Sequence, residues 1–479
     1  MSAARPYLLG GRWRSSDTIA RIVNPYTGET VAEVCQAGKT EADEAGAAAL
    51  AAFTETRRLP AHARSAALAR IARAIEDRRD EFARTLTAES GKPITDARRE
   101  VGRAVQTFTI AAEEAKRIPG EVVPLDLTPG SESYLGIVRR FPIGPVLGIT
   151  PFNFPLNLVA HKVAPCLACG NPIVLKPAPQ TPLTSLLLGE VVLASGLPAG
   201  AMSVLPCDNT VAEQMVMDAR YQLLSFTGSA AVGWILKAKA GKKRVLLELG
   251  GNAGVIVAED ADLAMAAERC VAGGYVYSGQ TCISVQRIFV HESVYDRFLE
   301  LLVTNVRALT AGDPSDERTV VGPLIDDGAA RRVEEWIAEA VTQGATAAAG
   351  GKRSGRMVEP TVLTNVKPTM KVSCREVFGP VVTVTPYRRF EEAVRALNES
   401  EYGLQAGVFT RDINRIFQAY RDLDVGALLA NEIPTFRADH MPYGGVKDSG
   451  LGREGVRYAI EEMTEPKLLV LNLRESGRA

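Results

Sequence analysis

Across residues 41–117, apolar positions, most of them alanine, recur at helical spacing among Glu and Arg. Pro60 and Gly91-Lys92-Pro93 interrupt the run. The pattern predicts several amphipathic helices separated by those breaks. Residues 119–143 read differently. Val122, Val123, Leu125, Tyr134, Gly136, Val138 and Phe141 flank the turn signal Pro129-Gly130, which predicts a hairpin. A long hairpin between α/β segments suggests an arm that packs on another subunit. From 144 to 249 short apolar strands alternate with helical stretches; the strands expected are Val146–Thr150, Ile173–Lys176, Met202–Leu205, Leu223–Thr227 and Val245–Leu249. This alternation implies βαβ units in a parallel sheet that binds ligands at its carboxyl edge. A second βα series follows Gly250-Gly251 and runs to about residue 452. The tail, Thr464–Asn472, reads as one strand, exposed or covered by a partner.

Length sharpens this picture. A chain of 479 residues is too long for a single hydrophobic core, so two large lobes are expected. The 55 Lys and Arg nearly cancel the 56 Asp and Glu, which leaves no electrostatic case for nucleic acid or an anionic membrane as partner. No apolar run of about 18 residues suggests a membrane span, and Met1–Pro6 carries no apolar signal core. The seven cysteines are scattered and odd in number, which fits free thiols in a reducing cytoplasm better than a disulfide framework. Cys166 and Cys169 form a C-x-x-C, but their flanks are apolar and no second pair or His cluster completes a zinc site. They are expected to be small core residues on a helix, and no metal is expected.

Six short segments carry candidate chemistry. Cys282 lies in Ser278-Gly279-Gln280-Thr281-Cys282-Ile283-Ser284, between helix-like Ala266–Tyr277 and strand-like Val285–Val290. A glycine-containing turn gives a thiol the partial access a nucleophile needs, although a lone turn cysteine is more often structural. Glu248 ends an apolar strand just before two glycines. A carboxylate there is costly to bury unless it is ion-paired or works as a general base with a raised pKa. Asn153, in Thr150-Pro151-Phe152-Asn153-Phe154-Pro155, could offer its amide to an oxyanion or be a plain turn residue. Lys176 leaves a strand end, where a cation suits a ribose or phosphate. Phe226-Thr227-Gly228-Ser229-Ala230-Ala231-Val232-Gly233 is a glycine turn opening a helix, suited to pyrophosphate, though it lacks the G-x-G-x-x-G spacing. Glu376 stands beside the aromatic turn Val377-Phe378-Gly379-Pro380.

Taken in order, these segments resemble the aldehyde dehydrogenase superfamily, from Asn24-Pro25-Tyr26-Thr27-Gly28 to Tyr443-Gly444-Gly445-Val446-Lys447-Asp448-Ser449-Gly450. The resemblance implies an α/β fold with a Rossmann-like cofactor domain (1–118 and 144–249), an α/β catalytic domain (250–452) and a small β oligomerisation arm with a C-terminal strand (119–143 and 453–479). It implies that Cys282 attacks an aldehyde, that Asn153 and the Cys282 N–H hold the oxyanion, and that Glu248 activates water to hydrolyse a thioester. Cofactor contacts are implied at Ile149, Thr150, Phe152, Lys176, Pro179, Gly228, Ser229, Gly233, Leu249, Glu376 and Phe378. Pro179 stands where many NAD-preferring members carry Glu. It neither accepts a 2′-hydroxyl nor repels a 2′-phosphate, so the cofactor is NAD or NADP, with NAD favoured.

The branch most similar contains lactaldehyde, phosphonoacetaldehyde and non-phosphorylating glyceraldehyde-3-phosphate dehydrogenases. If the segment after Asn153 is helical, Asn153, Asn157 and His161 share one polar face. Arg103 matches a position that binds anionic or hydroxylated substrates, although Arg103 and His161 fit structural hydrogen bonds or an ion pair equally well, and Arg437 is expected near the pocket rim. Thr281 precedes the nucleophile where phosphate-using relatives tend to place Arg, which counts against a dianion. The expected substrate is therefore a small polar aldehyde, and the expected assembly a homodimer or homotetramer. Two alternatives stand beside this reading. A coenzyme A-acylating enzyme would usually lack the glutamate at 248, and a non-catalytic protein of this fold would be expected to lose Cys282 or Glu248.

Overall fold

The structure is a computed structural model that describes residues 4–473. The N-terminal Met1–Ala3 and the last six positions of the 453–479 segment lie outside the described residues. Five short strands, Met202–Val204, Ile173–Lys176, Val146–Ile149, Leu223–Thr227 and Arg244–Glu248, lie parallel in that spatial order. Nearly every residue in them is buried, because helices cover both faces and exclude water from each. One face packs on Ala61–Asp77, Ile94–Glu114, Asn157–Cys169 and Leu183–Leu193, the other on Lys39–Thr56 and Asn209–Met217.

Three strands outside the expected series extend this sheet to eight. Tyr7–Leu9 and Arg12–Arg14 add antiparallel strands at one edge. Gly450–Leu451 pairs with Leu247 and Glu248 at the other. The helix Val456–Glu462 then buries Val456 and Ile460 in the first lobe's core, so the chain returns to that lobe before its tail strand. Two of the three boundaries between the four N-terminal helices fall at the expected breaks: Pro60 and Pro93 occupy N-cap positions, and Gly91 closes a helix at φ 69°; the boundary at Arg78, between Ala61–Asp77 and Arg79–Ser90, carries no proline or glycine and was not expected.

A second sheet of seven strands runs in the order Thr346–Ala349, Thr361–Thr364, Val381–Tyr387, Arg287–His291, Gly254–Val257, Gln405–Phe409, Ala427–Ala430. All its pairings are parallel except the first. The expected hairpin forms from Gly120–Pro124 and Tyr134–Pro142, and the tail strand Thr464–Asn472 pairs along the whole of the longer strand. Leu468, Leu469 and Val470 on that tail are about half exposed. Cys166 and Cys169 are fully buried on the helix Asn157–Cys169. Among the described residues no helix is long and apolar enough to cross a membrane, and no cluster of His, Cys, Asp or Glu could hold a metal ion.

Candidate active site

The first sheet reverses its winding between Val146–Ile149 and Leu223–Thr227: the chain steps outward in one direction to Met202–Val204, then returns to start the other side. The carboxyl ends of strands that part in this way leave a crevice. A cleft of about 780 Å³ opens there, lined by Ile149, Thr150, Phe152, Asn153, Lys176, Pro179, Gly228, Ser229, Glu248, Leu249, Cys282, Glu376 and Phe378 among others. Residues from both lobes thus share one wall.

One end of the cleft has donors and space to spare. Lys176 is buried at a strand end, and burial lowers its pKa. The hydroxyl of Thr227 is buried without a partner. Ser229 caps the helix Ala230–Lys239 without spending its side chain on a cap bond. A free helix N-terminus next to a buried cation fits a pyrophosphate and ribose. Glu376 accepts from the Gly251 N–H at 2.9 Å and otherwise faces the cleft; burial pushes its pKa up to about 7. Phe378, at φ 50°, meets Phe152 edge-on at 5.8 Å. Gly233 stands apart from this set. It does not line the cleft, and a Cβ there would meet Leu249 Cδ2 at 2.4 Å, so it serves helix–strand packing rather than pyrophosphate contact.

At the other end, the helix Leu263–Tyr275 stops short and the chain turns through Tyr277 and Ser278 at φ 47° and 56°. This irregular turn presents Cys282, which is half-buried among Ile283, Leu404, Tyr443 and Met441. Burial pushes its thiol up to about 12, while a hydrogen bond with Tyr443 acts in the opposite direction. The turn sits close against the second chain crossing: a Cβ on Gly251 would lie 2.1 Å from the Cys282 carbonyl oxygen. Asn153 Nδ2 donates to the Gln280 carbonyl at 2.9 Å, which leaves its second N–H free. Glu248 is 4% exposed, and its Oε2 has no partner. Burial, then the charge of Glu454, holds its pKa well above the usual carboxylate range, against Arg437 and Lys162.

The polar-face expectation needs correction. Asn153 is not on the helix, which begins only at Asn157. Pro155 disfavours helical geometry at Phe154, so the segment before it remains turns. Asn157 and His161 do share a face, but neither opens on the cleft. Both bind Asp439 Oδ1, at 3.2 and 2.9 Å, and Arg103 binds the same oxygen at 2.7 Å. Burial pushes the Asp439 carboxyl up, but the His161 hydrogen bond and the Arg103 charge outweigh it and hold the group ionised. His161, lowered first by burial and then by Arg437, stays neutral and donates from Nε2. Arg437 is not at a rim. Its side chain is 5% exposed, bonded to Glu454 at 3.0 Å and stacked 3.6 Å from the Tyr443 ring centroid, with Nε unpartnered. Lys162 completes the cluster at 3.1 Å from Glu454, whose pKa is held at about 2: burial raises it, but the Lys162 and Arg437 charges prevail. Thr281 is buried, lies outside the cleft lining and has an unpartnered hydroxyl. Sequence reasoning missed Asp439, Glu454, Tyr443 and Lys162; a lysine within the apolar stretch 158–169 was the one available signal.

A model of the aldehyde dehydrogenase family matches residues 13–469. The 3-sulfolactaldehyde dehydrogenase of Priestia aryabhattai is 45% identical over 466 residues, which cover 97% of this chain and 97% of that protein. Among solved structures, aldehyde dehydrogenase 21 from Physcomitrella patens, in complex with the reaction product succinate, superposes with a TM-score of 0.97 at 44% identity, covering 99% of this chain and 100% of that one. The glyceraldehyde-3-phosphate dehydrogenase of Methanocaldococcus jannaschii DSM 2661, complexed with NADP, superposes at 0.92 with 38% identity, covering 95% and 100%.

Proposed function

This chain belongs to the aldehyde dehydrogenase family, and from that premise we propose that it oxidises a small polar aldehyde to its carboxylic acid with NAD or NADP. One observation carries the assignment: Cys282, Asn153, Glu248 and Glu376 all face a single cleft at the switch point of the first sheet. Lys176, Ser229 and Glu376 would hold the cofactor, which when bound would supply the acceptor for the hydride lost from the substrate carbon. Pro179 supplies neither a side-chain acceptor nor a negative charge, so both cofactors fit.

The chain's own groups account for the remaining steps. The Cys282 thiolate adds to the aldehyde carbonyl, and the oxygen takes up the negative charge. The free N–H of Asn153 and the Cys282 backbone N–H, which meets no acceptor among the described residues, stabilise that oxyanion. Loss of hydride leaves a thioester on Cys282. Glu248 takes a proton from water as its oxygen attacks the thioester carbonyl, and the acid departs with return of the sulfur. A carboxylate whose pKa is raised by burial is a stronger base than an exposed one, which suits it to this task.

Residues 1–118 and 144–249 would hold most of the cofactor, with Glu376 contributed by 250–452, which would also carry the nucleophile, while the hairpin 119–143 and the tail strand join copies in a homodimer or homotetramer in the cytoplasm. The relatives support a small polar substrate, since similar proteins are a 3-sulfolactaldehyde dehydrogenase and a lactaldehyde dehydrogenase. The test compares lactaldehyde, succinate semialdehyde and hexanal. A short hydroxylated or singly charged aldehyde should have the highest kcat/KM; a win for hexanal would overturn the substrate class.

A further inference from the structure

We propose that Tyr443 is a catalytic residue of this site: its hydroxyl donates a hydrogen bond to the Cys282 thiolate, and the Arg437 guanidinium on its ring strengthens that bond. The inference rests on the reading of Cys282 as nucleophile. The Tyr443 oxygen lies 3.1 Å from Cys282 Sγ and has no other hydrogen-bond partner among the described residues. Nothing else polar in the immediate cluster addresses the sulfur, whose neighbours Ile283, Leu404 and Met441 are apolar. The buried hydroxyls of Tyr275, Tyr277 and Tyr387 each donate to a backbone carbonyl, whereas that of Tyr443 addresses the sulfur. A thiol is a weak acceptor and a thiolate a strong one, so this bond favours the charged form over the neutral one. Once the thiol has released its proton to solvent, only the tyrosine can donate, and it keeps its own proton.

The tyrosine is held for this purpose. Its ring is 2% exposed, and its backbone exchanges two hydrogen bonds with Glu454, at 3.0 and 2.6 Å. The Arg437 Cζ sits 3.6 Å from the ring centroid, and Glu454 and, behind it, Lys162 fix that guanidinium. A cation on the face of a phenol ring draws electron density from it, which makes the O–H a better donor. The same hydrogen bond opposes the effect of burial on the Cys282 thiol.

The test is the rate of iodoacetamide alkylation of the enzyme between pH 7 and 10, with the labelled cysteine located by mass spectrometry. Tyr443→Phe keeps the ring and removes only the hydroxyl. Loss of a hydrogen bond to a charged group raises the thiol pKa by about one unit or more. Higher intrinsic nucleophilicity returns about half of that, so Cys282 should react about threefold more slowly across the range. Incorporation of 3-fluorotyrosine at position 443 gives a stronger donor of nearly the same shape and should make alkylation faster than in the unaltered enzyme. A packing role cannot produce that order. Equal rates for all three proteins, or slowing by both substitutions, would overturn the role of Tyr443. Labelling confined to Cys374, the other partly exposed cysteine, would instead overturn Cys282 as nucleophile, and Tyr443 with it.

Discussion

At the scale of single residues, the electrostatics of Glu248 make the sharpest claim. Its pKa is raised by burial and then by the charge of Glu454. Thioester hydrolysis should therefore speed up as pH rises through a midpoint above the ordinary carboxylate range. Glu454→Gln removes the repelling charge and frees Lys162 and Arg437 to act on Glu248, so the midpoint should fall; a pH profile of single-turnover acid release checks this, and an unmoved midpoint would contradict it. Pro179→Glu should shift the ratio of kcat/KM toward NAD by about tenfold or more, since a carboxylate there accepts a 2′-hydroxyl and repels a 2′-phosphate. An unchanged ratio would place residue 179 away from the ribose. The side chains legible in the sequence are those whose signal is local: a thiol in a glycine turn, an acid at a strand end. Asp439 and Glu454 were not legible because their partners His161 and Lys162 lie 278 and 292 positions away. For the same reason Arg103, Asn157 and His161 looked like free pocket groups, whereas one distant carboxylate satisfies all three.

At the scale of elements, strand centres were legible and their ends were not. Alternating apolar runs bounded by turns gave Ile173–Lys176 and Leu223–Thr227 with the observed limits, while the strand expected at Val245–Leu249 runs one residue earlier. Arg12–Arg14 is exposed throughout and Gly450–Leu451 has two residues, so neither offers a hydrophobic period to read. The helix expected to carry Asn153 starts late because of a proline, a backbone effect that outweighs side-chain periodicity. The turn bearing Cys282 depends on the strand-to-strand crossing at Gly250-Gly251. Gly251→Ala would set a methyl 2.1 Å from the Cys282 carbonyl oxygen, a backbone atom that cannot step aside without moving the nucleophile. A loss of about a hundredfold in kcat is expected with the fold retained, since misplacement of about 1 Å costs that much; near-normal kcat with an unchanged circular dichroism spectrum would contradict the close approach.

At the scale of the whole molecule, the tail strand Thr464–Asn472 leaves Leu468, Leu469 and Val470 about half exposed on a three-stranded sheet with an open edge. Such an edge is a template for pairing, and Leu468→Asp with Val470→Asp should dissociate the proposed homodimer or homotetramer in light scattering; a native mass unaffected by both charges would contradict assembly through this strand. The two lobes were legible from chain length and the repeated βα pattern, but the return of 450–463 to the first lobe was not, because it is a tertiary docking of short pieces. That return places Glu454 behind Glu248, and the cleft brings Glu248, the proposed base, from one sheet to the Cys282 thiol of the other lobe. Intact-protein mass spectrometry of the Glu248→Gln enzyme, mixed with cofactor and succinate semialdehyde, tests this division of labour most directly. One equivalent of reduced cofactor should form in a burst, and the protein mass should rise by one acyl group carried on Cys282. Steady turnover with the protein mass unchanged would contradict it.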